Sequence, residues 1–279
     1  MEYVFFSENL KRYYPKLYRI LIEILSKHKV CHGILKGTAD YWCRDYMPVQ
    51  VCGSSFVQFR YHPDYLEGLR DYETPTDVSI ELTKTLLPDS LISVSSIIAD
   101  GGNFTFGVIK KGQGYTPVVV MTEKIFIENS GVERKNLVSE LEKLFPNHEF
   151  LFLPWDRSDT CGHTDGILHA VGSNKVLVNL NVYPDDIAAE MRRILESRFK
   201  VIDLELSDYH DMSWAYINII HTQNVIIVPG LGLPTDKEAM MHIKKLFPEY
   251  KERIYQVLMP SLVRRGGGAL NCLSWTFSR

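Results

Sequence analysis

Cysteine is scarce in this 279-residue sequence, and what there is lies scattered. Cys31, Cys43, Cys52, Cys161 and Cys272 are odd in number and never spaced Cys-x-x-Cys. That suits a reducing cytoplasm better than a disulfide framework or a cysteine-rich zinc site. Basic runs are missing as well. Lys and Arg total 31 against 34 Asp and Glu, a formal charge of -3, so neither nucleic acid nor an anionic membrane is expected as a partner. No apolar run approaches the roughly 20 residues of a membrane span. Met1 to Glu8 carries no basic leader and too short an apolar stretch for a signal peptide, so a cytoplasmic location is expected. Without a linker or low-complexity tract, residues 1–279 read as one domain.

Glycine is not abundant either, yet three of the 18 are consecutive, in Arg264-Arg265-Gly266-Gly267-Gly268-Ala269-Leu270-Asn271-Cys272. Three glycines bring no side chain to a core and cost backbone entropy. They suit a place where the backbone comes close to something. Two readings stand: a loop that delivers a reactive Cys272, or a flexible turn before a last buried strand with Cys272 as a small core residue.

A helical pattern recurs along the chain. Leu17, Ile20, Leu21, Ile24 and Leu25 share one face, with Pro15 in the first turn. Leu137, Leu141, Leu144 and Phe145 repeat it, as do Ile187, Met191, Ile194 and Leu195, then Ala239, Ile243, Leu246 and Phe247. Thr235 and Glu238 have capping-box spacing before the last of these. A weaker pattern runs from Thr76 through Val78, Leu82 and Leu86. Pro88, Pro146 and Pro248 would end three of the five helices.

Each helix is followed by a strand-like run: Val30 to Ile34, Leu91 to Ile98, Glu149 to Leu153, Val201 to Leu206 and Ile254 to Met259. Each run leads to a polar or glycine-bearing segment. In order these contain Trp42 to Asp45, Asp100 to Asn103, Cys161 to Gly166, Trp214 to Asn218, and Gly266 to Cys272. The chain thus reads as five helix-strand-motif-strand units of roughly 55 residues each. The fifth lacks its last partner, and Tyr3 to Phe6 is a spare strand that would complete it and close a ring, removing a sheet edge. In such a ring the five motifs face a common axis, which brings Asp45, Asp100, His163, Asp165 and Cys272 together.

Carboxylates near a thiol raise its pKa and discourage the thiolate that attacks. They make sense if the substrate is a cation. A guanidinium is planar, permanently charged and matched to carboxylates two N–H groups at a time. Asp45 and Asp165 could clamp one, Trp42 could stack on it, and His163 could shuttle protons.

Trp-x-Arg-Asp-x-x-Pro at Trp42 to Pro48, Asp-Gly-Gly-Asn at Asp100 to Asn103, Gly-His-x-Asp at Gly162 to Asp165 and Gly-Gly-Gly-x-x-x-Cys at Gly266 to Cys272 occur in that order. The set resembles the guanidino-group-modifying enzymes, and most closely the agmatine deiminase and bacterial peptidylarginine deiminase family, over nearly the whole chain. The resemblance implies an α/β fold, a five-bladed α/β-propeller or pentein, whose pseudo-fivefold helix-strand units surround a central active site in one catalytic domain, residues 1–279. It implies Cys272 as nucleophile, His163 as acid and base, and Asp45 and Asp165 on the guanidinium nitrogens. Asp100 takes a position that holds a histidine in related deiminases. Trp42, Asp100, Asn103 and Arg60 are the expected substrate contacts, Arg60 only for a substrate with a carboxylate. Arg44 is expected in a structural ion pair, Cys161 as packing, and His32, His169 and His221 as ordinary residues. Neither metal nor organic cofactor is implied. Asn271 stands where the family usually has His, and Met47 where it has Gly.

The leading expectation is hydrolytic deimination of agmatine, with arginine or C-terminal peptidyl-arginine next, by a protein whose partner is a small cationic substrate and which could be a homo-oligomer. The rivals are an amidinotransferase using the same intermediate, a metal site of Cys161, His163, Asp165 and Cys272, and a propeller serving only as a binding scaffold.

Overall fold

The computed structural model describes residues 1–279 and contains five three-stranded sheets. Each is mixed: an antiparallel pair of strands, then a helix that returns the chain to a third strand parallel to the second. Val49–Cys52, Ser55–Arg60 and Leu91–Ile98 form one sheet, and Thr105–Lys111, Gly114–Thr122 and Glu149–Leu153 the next. Leu168–Ala170, Lys175–Val178 and Lys200–Asp203 follow, then Ile220–His221, Ile226–Gly230 and Ile254–Leu258. The fifth sheet joins the ends of the chain. Glu2–Ser7 lies antiparallel to Ser274–Ser278, with Tyr3 opposite Phe277 and Phe5 opposite Trp275, and parallel to Cys31–Leu35. The spare strand therefore closes the ring. The Tyr3 and Phe277 rings stack at 5.0 Å and Trp275 meets Phe277 at 4.5 Å, each such pair adding about 0.5–1.5 kcal/mol beyond area burial.

The helices Pro15–Lys27, Thr76–Leu86, Arg134–Leu144, Asp185–Glu196 and Asp236–Leu246 supply the connections. Leu17, Leu21 and Leu25 bury against Val4, Phe6 and Val30; Leu137 and Leu141 against Val119 and Met121; Met191 and Leu195 against Val176 and Val178. The helix of weak pattern packs Leu82 and Leu86, half-buried, against the cluster of Tyr46, Phe56 and Leu87, and its fully buried positions lie beside them. Ser79 and Thr83 point inward, with the Thr83 hydroxyl donating to the Ser79 carbonyl over 2.8 Å. The capping box does not form. Glu238 accepts from the Ser207 amide and hydroxyl, and Asp236 takes the orphan donors of the turn, Leu231 N and Gly232 N, each at 2.9 Å. No helix is long and apolar enough to cross a membrane.

In all five units a short turn or single helical turn precedes the first strand, and these turns are laced to one another. Arg44 N donates to Cys272 O (3.1 Å), Gly102 N to Asp45 Oδ1 (3.1 Å), and Asn271 N to Asn218 O (3.2 Å). Asn218 Nδ2 donates to Asp165 O (3.2 Å), and His163 Nε2 meets Asp100 Oδ2 at 3.0 Å. These five contacts run from every unit to the one before it, so the inner ends of the blades form a closed hydrogen-bonded ring.

Candidate active site

The triple glycine has a physical cause at each residue. Gly267 adopts φ +66° to end the helix Pro260–Gly266, a conformation that favours glycine. A Cβ on Gly266 would stand 2.5 Å from Trp42 Cζ2, and one on Gly268 2.6 Å from Trp42 Cη2. The loop thus lies flat on the Trp42 indole. Trp42 is consumed by this packing, and Tyr41 covers it from 4.7 Å. The ring that lines the neighbouring cavity is Trp214.

Beyond that loop, Asn218 holds the segment that carries Cys272. Its Oδ1 accepts from Asn271 N (2.9 Å) and Cys272 N (3.3 Å), and its Nδ2 also reaches Cys272 Sγ at 3.3 Å. Asn271 Nδ2 donates to Asp165 Oδ2 at 2.7 Å, and the Cys272 thiol donates to the same oxygen at 3.4 Å. The asparagine that departs from the family pattern thus orients a carboxylate beside the sulfur. On the other side, His163 Nδ1 stands 3.6 Å from Asp45 Oδ1 and its Nε2 3.0 Å from Asp100 Oδ2, which also accepts from the Tyr65 hydroxyl at 2.7 Å. Gly102 has no room for a side chain: a Cβ there would lie 2.6 Å from His163 Nδ1 and 2.7 Å from Asp45 Oδ1.

His163, Asp165 and Cys272 line a cavity of about 430 Å³ with Cys161, Tyr183 and Trp214; Asp156, Asp159 and Asp211 line it as well, and no lysine or arginine does. Asp45 and Asp100 are buried against His163. Burial lifts the Asp45 carboxyl to about 7; His163 works against that, while Asp100 and Asp165 add to it. Burial also opposes charge on His163, but Asp45 and then the Asp100 hydrogen bond outweigh it and raise its pKa well above the ordinary value. For Cys272, burial, then Asp165 and Asp45, push the thiol well above its usual range. Without a cation the sulfur holds its proton.

The structure therefore brings together Asp45, Asp100, His163, Asp165 and Cys272. Asp45 and Asp100, both expected against the substrate, are buried on His163 and do not line the cavity. Three further expected contacts lie elsewhere. Arg60 is exposed at the end of its strand, hydrogen-bonds through its side chain to none of these groups and does not line the cavity. Asn103 is buried, with Oδ1 accepting from Thr122 N (2.8 Å), so it braces its turn. Trp42 carries the glycine loop. The expected ion pair of Arg44 is absent as well: its guanidinium donates to Asn271 Oδ1 (3.2 Å) and O (3.4 Å). No three His, Cys, Asp or Glu side chains stand close enough to share a metal ion. Sequence reasoning missed Tyr65, which lies outside the motifs, and Asn218, whose segment was marked without a role for any residue in it.

The fold has solved counterparts. Agmatine deiminase of C. jejuni superposes with a TM-score of 0.72 at 15% identity, over 98% of this chain and 92% of that one. Agmatine deiminase of Enterococcus faecalis does so with 0.71 at 16%, over 98% and 92%. DDAH from Pseudomonas aeruginosa, complexed with citrulline, gives 0.60 at 13%, over 99% and 98%. At these identities the likeness is one of fold, the pentein. No curated protein matches the chain by sequence. A profile of the Porphyromonas-type peptidyl-arginine deiminases matches residues 18–277. The chain therefore belongs to the Porphyromonas-type peptidyl-arginine deiminase family, hydrolases that act on the carbon–nitrogen bonds of a guanidino group.

Proposed function

We propose that the protein hydrolyses the guanidinium group of a small cation, agmatine in the first place, giving N-carbamoylputrescine and ammonia through a covalent adduct on Cys272. One observation carries this reading: a thiol hydrogen-bonded to a carboxylate and an imidazole held by two aspartates share one acidic cavity with no basic residue in its wall. Such a cavity favours a planar cation and needs it, because the cation offsets Asp165 and Asp45 and lets the thiol release its proton. The thiolate adds to the guanidinium carbon. His163 gives a proton to one nitrogen, the carbon–nitrogen bond breaks, and ammonia leaves an amidino-thioether on the sulfur. Water then gives a proton to His163 and adds to the same carbon as hydroxide, and the carbon–sulfur bond breaks as that hydroxyl loses its proton to solvent, releasing the neutral ureido product and the thiolate.

The outer wall supports agmatine over arginine. Asp156, Asp159 and Asp211 suit the amine of agmatine and repel the carboxylate of arginine or of a C-terminal arginyl peptide, and Arg60 stands outside the cavity. The test is incubation with agmatine, arginine and a C-terminal arginyl peptide, with ureido product and ammonia both measured. Release of both from agmatine in water alone is expected. Turnover of none of the three would remove the reading, and product only when an amine is added would mark an amidinotransferase instead.

A further inference from the structure

Lys124 is among the most deeply buried charged residues of the chain, 1% exposed, and the mechanism above gives it no part. It begins a short helix, Lys124–Glu128, two residues after the strand Gly114–Thr122. Its ammonium meets Asp64 Oδ1 at 2.8 Å and Glu128 Oε1 at 3.6 Å, and donates to the Thr160 carbonyl at 2.5 Å. It lies 4.8 Å from the Tyr65 ring centre and 5.4 Å from that of Trp155. Its stem packs on Gly162, where a Cβ would come within 3.1 Å of Lys124 Cδ. A buried ammonium is retained only where such partners surround it, and removing one member of a buried pair strands the other.

The partners belong to the segments that carry the acid–base pair. Asp64 precedes Tyr65, whose hydroxyl holds Asp100. Thr160 and Gly162 lead into His163. The adjacent Thr122 completes the bracket: its hydroxyl donates to the Gly162 carbonyl at 2.6 Å, and its amide donates to Asn103 in the turn that carries Asp100. Three separate segments, bearing Tyr65, Asp100 and His163, are thus pinned to one stretch of three residues, Thr122 to Lys124.

We propose that Lys124 is a positioning residue of the reaction, fixing the segments of His163 and Tyr65 so that His163 Nε2 and the Tyr65 hydroxyl meet on one oxygen of Asp100. The inference rests on His163 acting as acid and base. It uses a charge as well as a shape. Lys124 faces Asp64, Glu128, the Tyr65 ring and, further off, Asp100; Glu128 also faces His163, and Asp100 also faces His163 and Asp45. One oxygen each of Asp100 and Glu128 is buried without a hydrogen-bond partner. Lys124 therefore sets a cation against Glu128, whose carboxyl is lifted to about 7 by burial and then by Asp100.

The test compares the full chain with Lys124→Met, Lys124→Arg and Asp64→Asn. Turnover of agmatine is followed against pH, and His163 is titrated separately by imidazole NMR without substrate. With Lys124→Met, kcat is expected to fall about 100-fold, as for a displaced catalytic group, with KM changed less than threefold. The His163 titration moves down toward its ordinary range as Asp100 slips away, and Lys124→Arg recovers part of both. Asp64 is half exposed and asparagine keeps an oxygen for the ammonium, so Asp64→Asn disturbs the fold less than Lys124→Met and gives a smaller shift in the same direction. An unmoved titration in Lys124→Met, or in Asp64→Asn if the former does not fold, overturns the proposal. So does an upward move with kcat kept, since that would leave only the charge. If no guanidino compound turns over, the function fails while the NMR titration still decides the placement.

Discussion

Gly268 lies on the Trp42 indole so closely that a methyl group added to it would sit 2.6 Å from Cη2. The sulfur of Cys272 is four residues further along. Gly268→Ala must lift the loop or push the ring, and a shift of about 1 Å at a reacting group costs on the order of 100-fold in rate. The expected outcome is a kcat lowered about 100-fold with a thermal midpoint within a few degrees of the parent, read from steady-state kinetics and thermal unfolding.

Because burial, Asp165 and Asp45 push the Cys272 thiol up, binding of a guanidinium should release the thiol proton. Calorimetry of agmatine binding to His163→Asn, which cannot complete turnover, in buffers of different ionisation enthalpy should show close to one proton leaving at pH 7.5. Adding Cys272→Ala should cut that release to the fraction that Asp45, titrating at about 7, gives up. Equal proton release with and without the sulfur would show that the proton comes from another group.

Asp45 pays in stability for its position. Its carboxyl titrates at about 7 in the folded chain against the ordinary 3.8. A folded value raised in this way gives stability that is complete below pH 3.8 and is lost as pH rises to about 7 and beyond. Asp45→Asn keeps an oxygen for the Gly102 amide and removes the charge. At pH 8 it should raise the thermal midpoint by about 3 °C or more while lowering turnover about 1000-fold. A lower midpoint at pH 8 would show that the charge is compensated.

The pair His169 and His221 predicts the acid limb. Tyr250 donates to the Thr222 carbonyl at 2.7 Å, so His221 Nε2 must donate to Tyr250 (2.9 Å) and its Nδ1 must accept from His169 Nε2 (2.9 Å). A proton on His221 Nδ1 would set two donors face to face. Burial, first in both cases, holds His169 at about 3 and His221 at about 4, against 6.5. Stability contributed this way is present above pH 6.5 and lost as pH falls toward 4 and 3. His169→Leu should flatten the loss of urea midpoint between pH 6.5 and 4; an unchanged slope would place the acid sensitivity elsewhere.

The sequence carried the blades well because their signals are local. Period-3.6 leucines, prolines after the helices and β-branched runs gave all five units, and Leu91–Ile98 and Glu149–Leu153 match to the residue. The ring closure followed from a count of strands. The five grouped side chains followed from motif order. What stayed hidden depends on three-dimensional neighbours. Nothing in the sequence separates buried Lys124 from a solvated lysine, or Tyr65 from any loop tyrosine. Trp42 carries the same signature whether it receives a ligand or a glycine loop, and Arg44 whether it meets a carboxylate or an asparagine. Thr235 and Glu238 had capping spacing, but Ser207, 31 residues before Glu238, took the glutamate.

The strand pairing that joins the two ends of the chain also sets Arg279 N donating to Met1 O at 2.8 Å. Cut and join are therefore nearly interchangeable here. A peptide link between the present ends, with a break made at the exposed Gly112–Gln113 hairpin, would preserve every blade and every crossing between motifs. To the fold, the starting residue is a matter of address, since a circle reads the same from any point on its rim.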